Sequence, residues 1–200
     1  MKFEDKEKGF SIEVIAKTPN PQTLIYQAMH QCYSSVIGEI PYSEQKCGEI
    51  AVNFGCLEHP QISFCVEGYP HTVIQQVRTH RVGLSFDVQS FRYTNVENVT
   101  LKNIEKFAYI RPDGRYASRN GPYDYKGHEK QKDTVVSLIS EYITLIKLGT
   151  DPEHAREILP YCIRQNFVMS GNLRSLLHMV DLRSKANTQL ETVNFSDGMF

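Results

Sequence analysis

The sequence has no CxxC pair, no long apolar run, no internal repeat and no excess of positive charge, and each absence removes a class of protein. Its cysteines (Cys32, Cys47, Cys56, Cys65 and Cys162) are odd in number and scattered. That argues against a paired disulfide framework and a zinc site, and they read as reduced thiols packed like small apolar side chains. No apolar stretch approaches the ~20 residues a membrane-spanning helix needs, and the start, MKFEDKEKGF, is charged rather than signal-like. A cytoplasmic protein with no membrane partner and no metal is expected. A net charge of −1 argues against a general nucleic-acid binder, whose domain is normally basic. Two hundred residues with 40% apolar content suit one domain, 1–200, with a sizeable core.

What is present concentrates between Gln75 and Tyr93, QQVRTHRVGLSFDVQSFRY. Arg78, Arg81, Arg92 and His80 fall within nineteen residues, with Asp87 the only acid. Gln75, Gln76, Thr79, Ser85, Gln89 and Ser90 surround them with amides and hydroxyls. Guanidinium forks match phosphate oxygens, and amides or hydroxyls read a base or ribose edge. The mixture suits a phosphorylated planar ligand, a nucleotide. Chemistry alone equally allows a solvated basic helix followed by a strand.

Along the chain, Phe10–Ala16 carries the β-branched and apolar residues of a strand. Asn20-Pro21 opens a helix whose Leu24, Ile25, Ala28, Met29 and Cys32 share a face, and a short helix is expected over Glu44–Val52. Ile62, Phe64 and Val66 alternate as a half-buried strand ended by Pro70. Thr72 is expected to cap a helix burying Val73, Ile74 and Val77, and Asp87–Tyr93 to be extended. A strand is expected at KFAYI, before a polar loop from Arg111 to His128 able to cover a site. Gln131–Leu148 has the clearest apolar helical stripe, with Gly149 suited to its end, and Asp151-Pro152 caps another short helix. On a helical wheel from Asn172 onward, Leu173, Leu176, Leu177 and Val180 make the buried stripe. Arg174, His178 and Asp181 flank it on one side, Asn172 and Arg183 on the other.

THRVGLSFDVQSFRY resembles the signature of the flavin-dependent thymidylate synthases, and RTHRVG-SFDVQS-RY is similar to the form written in their cyanobacterial and cyanophage branch. The family's usual Arg-His-Arg, seven residues, then Ser is altered: Thr79 precedes His80, and eight residues separate Arg81 from Ser90. Arg78 is then the candidate for the first arginine. LEHPQISF (57–64) and the run from His154 to Glu191 extend the resemblance, the latter through Ala-Arg-x-x-Leu/Ile-Pro, Asn-x-Arg-Ser-Leu, Leu-Arg and Gln-x-Glu. It covers roughly Tyr33 to Glu191. Family members continue with a further helix, so the chain is expected to lack that C-terminal helical extension.

The resemblance implies an α+β fold, a mixed or antiparallel sheet packed with helices, in a homotetramer with active sites at subunit interfaces. It implies methylation of dUMP to dTMP, with methylenetetrahydrofolate as carbon donor and NADPH as reductant through bound FAD, and no enzyme nucleophile. Gln76, Gln89, Ser90, Arg92 and Arg156 match dUMP-binding positions. Arg183 matches the arginine that stabilises the ionised uracil. His59, His80, Arg81, Asn172, Arg174 and His178, with Arg78, match flavin-contacting positions. The rival expectations are a catalytically inactive nucleotide- or flavin-binding regulatory protein, and a single-stranded nucleic-acid binder with Arg78, Arg81, Phe86, Phe91, Arg92 and Tyr93 as a basic stacking platform.

Overall fold

The computed structural model describes residues 1–31, 54–94, 100, 102–111 and 127–199. The expected helix over 44–52 and residues 112–126 of the polar loop lie outside them.

Among the described residues, five strands form one antiparallel sheet: β1 (Lys2–Asp5), β2 (Phe10–Lys17), β3 (Gln61–Pro70), β4 (Leu84–Val88) and β5 (Arg164–Asn172). Their order is β1-β2-β3-β5-β4. The last strand in sequence therefore sits between two earlier ones, and β3 and β4 are joined in the sheet only through Arg164–Asn172. In β5, Gln165, Phe167, Met169 and Gly171 turn inward while Asn166 and Val168 face out, the period-two pattern of a half-buried strand. The register sets Phe64 and Phe86 on either side of Met169.

One face of the sheet is covered by α2 (His71–Val77), α5 (Leu173–Arg183) and α6 (Leu190–Asp197). Phe64, Val66, Phe167 and Met169 from the strands pack with Ile74, Leu176, Met179 and Phe195 from these helices. A second cluster joins α3 (His128–Lys147) to Phe91, Ile104, Ile163 and the short α4 (Pro152–Ala155). A third joins α1 (Pro21–Gln31) to Cys56 and Leu57 on a 3-10 turn, Phe54–Glu58. No described helix is long and apolar enough to cross a membrane.

Several expectations hold in detail. The Asp151 carboxylate accepts from Glu153 N at 3.0 Å, capping α4 with Pro152 in its first turn. Gly149, at φ 88, turns the chain out of α3. Others are corrected. Thr72 lies inside α2, whose N-cap is Pro70 with no side-chain bond. The strand expected at Asp87–Tyr93 begins earlier, at Leu84; from Ser90 the chain turns, with Tyr93 N and Thr94 N both donating to Ser90 O. At KFAYI only Ala108 bridges to Ile163, and Ile104–Lys106 is a 3-10 turn. The last residues, for which the sequence suggested no element, form α6, with Phe195 and Met199 in the core.

Arg164 ties this arrangement together through backbone carbonyls. Its Nε donates to Glu105 O at 2.7 Å and an η-nitrogen to Gly68 O at 2.6 Å. Its guanidinium lies 5.5 Å from the centroids of both the Phe10 and Tyr109 rings. Arg164→Ala strips two carbonyls of charged donors and removes two cation–π contacts, so denaturant unfolding should show a loss of roughly 2–4 kcal/mol. Lysine should restore only part of it, since one ammonium lacks the fork that spans both carbonyls. An alanine variant as stable as wild type would contradict this role.

Candidate nucleotide-binding grooves

The loop between α2 and β4 meets the start of α5 to line one groove, while His71, Gln75 and Arg78, the segment that ends β4 and residues 156–165 line a second. Gly83 makes the convergence possible. It sits at φ +69, and a Cβ there would fall 2.3 Å from Ser175 Oγ and 2.4 Å from Asn172 Nδ2. Any side chain would push α5 off the loop carrying His80 and Arg81.

The first groove, ≈820 Å³, is lined by Glu58, Thr79, His80, Arg81, Arg174, Ser175 and His178, with Leu57, Val82 and Leu177 as its apolar wall. His80 and His178 meet edge to face at 6.3 Å. Arg183 donates from Nε to His80 Nε2 at 2.9 Å, and from an η-nitrogen to Gln76 O at 2.9 Å and Thr79 Oγ1 at 3.1 Å. His80 Nε2 is thus an acceptor, which puts the proton of the neutral ring on Nδ1. Burial, then the Arg183 and His178 charges, lower the His80 pKa below its ordinary value of 6.5. The contact is accordingly intact above about pH 6.5 and is lost as pH falls through the depressed folded value. Arg174 pairs with Glu58, both about half exposed, a pair that water screens and a ligand can displace.

The second groove, ≈460 Å³, is more polar: His71, Gln75, Arg78, Gln89, Ser90, Arg156, Glu157 and Tyr161 contribute to it. Ser90 Oγ accepts from Arg92 N at 3.3 Å and from an Arg156 η-nitrogen at 3.4 Å. That serine faces donors rather than a base, so it is set to orient a ligand and not to attack one.

The sequence candidates divide between these places. His80, Arg81, Arg174 and His178 share the first groove; Gln89, Ser90 and Arg156 share the second. Arg78, grouped by sequence with the flavin contacts, lines the second, because α2 ends at Val77 and Arg78 folds back to donate to Gln75 Oε1 at 2.9 Å. Gln76 donates to Gln189 Oε1 at 2.7 Å; its neighbour Gln75 borders the groove instead. Asn172 is the N-cap of α5, accepting from Ser175 N at 2.8 Å. His59 is exposed and lines neither groove, and Arg92 reaches outward to Glu153 at 3.4 Å. Leu177, expected in the buried stripe of α5, is 44% exposed on the groove wall, and Met179 takes the core position. Sequence reasoning missed His71 and Gln165; a glutamine at an inward position of a strand was the available signal.

The structure is an antiparallel α+β domain with two grooves lined by arginine, histidine and amide groups, side chains suited to a phosphorylated planar ligand. Comparison makes the class specific. The family model described as Thy1, thymidylate synthase complementing protein, matches residues 13–200, and the chain belongs to that family. It is 34% identical over 159 residues to the flavin-dependent thymidylate synthase of Haloarcula marismortui, covering 74% of this chain but 64% of that protein. The Halobacterium salinarum enzyme of the same name is 29% identical over 210 residues, covering 90% of this chain and 85% of its own. The fold matches thymidylate synthase X of Helicobacter pylori, solved with FAD and dUMP, at a TM-score of 0.73 and 20% identity over 94% of this chain and 90% of that one. A UMP/dUMP methylase from Streptomyces cacaoi, bound with 5-Br dUMP, gives 0.73 at 18% identity, covering 95% and 88%.

Proposed function

We propose that this chain methylates dUMP to dTMP, with methylenetetrahydrofolate as carbon donor and NADPH as reductant through bound FAD. The observation that carries the reading is a pair of grooves with different chemistry whose linings meet in sequence at Arg78 and Thr79, one held by His80, Arg174 and His178, the other by Arg78, Gln89, Ser90 and Arg156. FAD fits the first: an apolar wall of Leu57, Val82 and Leu177 suits a ring system, and Arg81 and Arg174 suit a diphosphate. When bound, it supplies the hydride that reduces the uracil carbon.

The chain's own residues bind, orient and stabilise charge. Arg78 and Arg156 hold the dUMP phosphate. Gln89 and Ser90 orient the base. Arg183, which lines neither groove and is anchored to His80, Thr79 and Gln76 O, carries the positive charge we assign to the ionised uracil. No cysteine sits in the Pro-Cys-His setting of the unrelated cysteine-dependent thymidylate synthases. We assign the chain to a single domain that works as a homotetramer with shared sites, in the cytoplasm of its own cell or of a phage host. RTHRVG-SFDVQS-RY is the basis for placing it in the cyanobacterial and cyanophage branch.

Ser90→Ala tests the role of the second groove. A lost hydrogen bond to a ligand costs ~1–3 kcal/mol, so dUMP use should fall about five- to 150-fold with FAD retained. Complete inactivation of a folded, FAD-loaded variant, with a covalent adduct on wild-type Ser90, would overturn the absence of a nucleophile.

A further inference from the structure

Behind the second groove runs a chain of hydrogen bonds whose direction is fixed from end to end. Arg78 donates to Gln75 Oε1 at 2.9 Å. That leaves the Gln75 amide nitrogen toward His71 Nε2, 2.5 Å away. On the far side of the ring, His71 Nδ1 lies 2.5 Å from Gln165 Oε1. Gln165 in turn donates from Nε2 to Gln89 O at 2.9 Å. Each amide has one end committed, so its other end is determined, and only a neutral His71 with its proton on Nδ1 satisfies every link. Gln165 is 7% exposed on the inward face of β5, where an unpaired amide is costly. The chain continues through Gln89, whose Oε1 accepts from Asn166 N at 3.1 Å and whose N donates to Asn166 O at 2.8 Å.

We propose that His71 is a positioning residue for the nucleotide groove: its neutral Nδ1–H form joins Arg78, on one wall, to the Gln89–Ser90 segment on the other. This rests on the reading of that groove as the dUMP site. The physical reason is preorganisation. Arg78 is exposed and Ser90 lies in a turn, so each would otherwise sample several positions and lose that freedom on binding. The ring fills the 94-residue gap in sequence between α2 and β5 with two directed bonds, while Tyr161 stands edge-on to it at 5.4 Å and limits its rotation. An asparagine is too short to reach both amides, and a phenylalanine keeps the shape but breaks both links.

The test uses the full chain loaded with FAD. dUMP affinity is measured for wild type, His71→Phe, Gln165→Leu and the double variant, and the 15N shifts of the His71 ring are recorded without ligand. Wild type should show the Nδ1–H tautomer. His71→Phe should bind dUMP about tenfold more weakly with FAD content unchanged. The double variant should be no weaker than the poorer single, because the chain is already cut. A purely structural role would lower the melting midpoint and leave dUMP affinity alone. Wild type that binds dUMP beside a His71→Phe protein that binds it equally, or multiplicative losses in the double variant, or an Nε2–H tautomer, overturns the role of His71 alone. Wild type that loads FAD yet binds no dUMP contradicts the reading of the groove, and this role with it.

Discussion

Arg183→Ala should lower dTMP formation by ~10²–10³-fold, the usual effect of removing one preorganised charge or donor from a reacting site. FAD uptake should weaken far less, by about fivefold, the equivalent of one neutral hydrogen bond of ~1 kcal/mol. The difference follows from where the guanidinium stands. Its Nε and one η-nitrogen hold His80, Gln76 O and Thr79, so the residue itself lines neither groove and meets the first only through His80 and Thr79. Arg174 lines that groove directly and pairs with the half-exposed Glu58. Arg174→Ala should therefore shed FAD, while Arg183→Ala keeps most of it and loses turnover. Lysine at 183 should rescue in part, since it retains charge and loses the planar fork. Measuring FAD content, dUMP affinity and dTMP formation in the two alanine variants side by side decides the matter. An Arg183→Ala protein that sheds FAD beside an Arg174→Ala protein that keeps it would reverse the two assignments.

Arg111→Ala should destabilise the fold by about 3–5 kcal/mol, the cost of stranding one charge of a buried pair. Arg111 meets Glu191 in bidentate fashion at 2.8 and 2.7 Å, and Glu191 is 1% exposed. Burial alone would raise the Glu191 pKa; the hydrogen bonds and charge of Arg111 outweigh it and hold the carboxyl below its ordinary 4.5. In wild type this stability is present above about pH 4.5 and lost as pH falls through the depressed folded value. In Arg111→Ala burial dominates, the folded state takes up a proton first, and acidification relieves the penalty. The stability gap between the two proteins should therefore be widest near neutral pH and narrow toward pH 4. A gap that stays constant or widens on acidification would contradict this. The pair also bears on the site: Gln189 Nε2 donates to Glu191 at 2.9 Å and Gln189 Oε1 accepts from Gln76, so α6 is fastened to the helix that carries Gln75 and Arg78.

The sequence displayed the elements whose signal is local. The stripe of α3, the Asp151-Pro152 cap and the alternation of β3 each depend on residues a few positions apart, and all three stand where expected. What it concealed depends on pairing. β5 alternates, yet its inward positions are Gln165 and Gly171 as well as Phe167 and Met169, and it becomes a central strand only because β3 and β4 flank it. The residue types that line the grooves were legible in the sequence, since arginines, amides and a serine crowd within nineteen positions. Their partition was not. Whether Gln75 or Gln76 borders the groove depends on Gln189, more than a hundred residues away, competing for one of them. His71 escaped notice for the same reason, as its partner Gln165 lies 94 positions on. Leu177 was misread because a helical wheel cannot tell a core from the apolar wall of a groove.

The most direct test of the central claim is a single preparation followed through two readings. The purified protein, supplied with FAD, is scanned for the two-band absorption of an oxidised flavin, then given dUMP, methylenetetrahydrofolate and NADPH and assayed for dTMP. The account predicts a yellow protein that bleaches with NADPH and forms dTMP only when all three are present. A protein that stays colourless in excess FAD, or one that binds FAD and dUMP and yields no dTMP under any reductant, would contradict it.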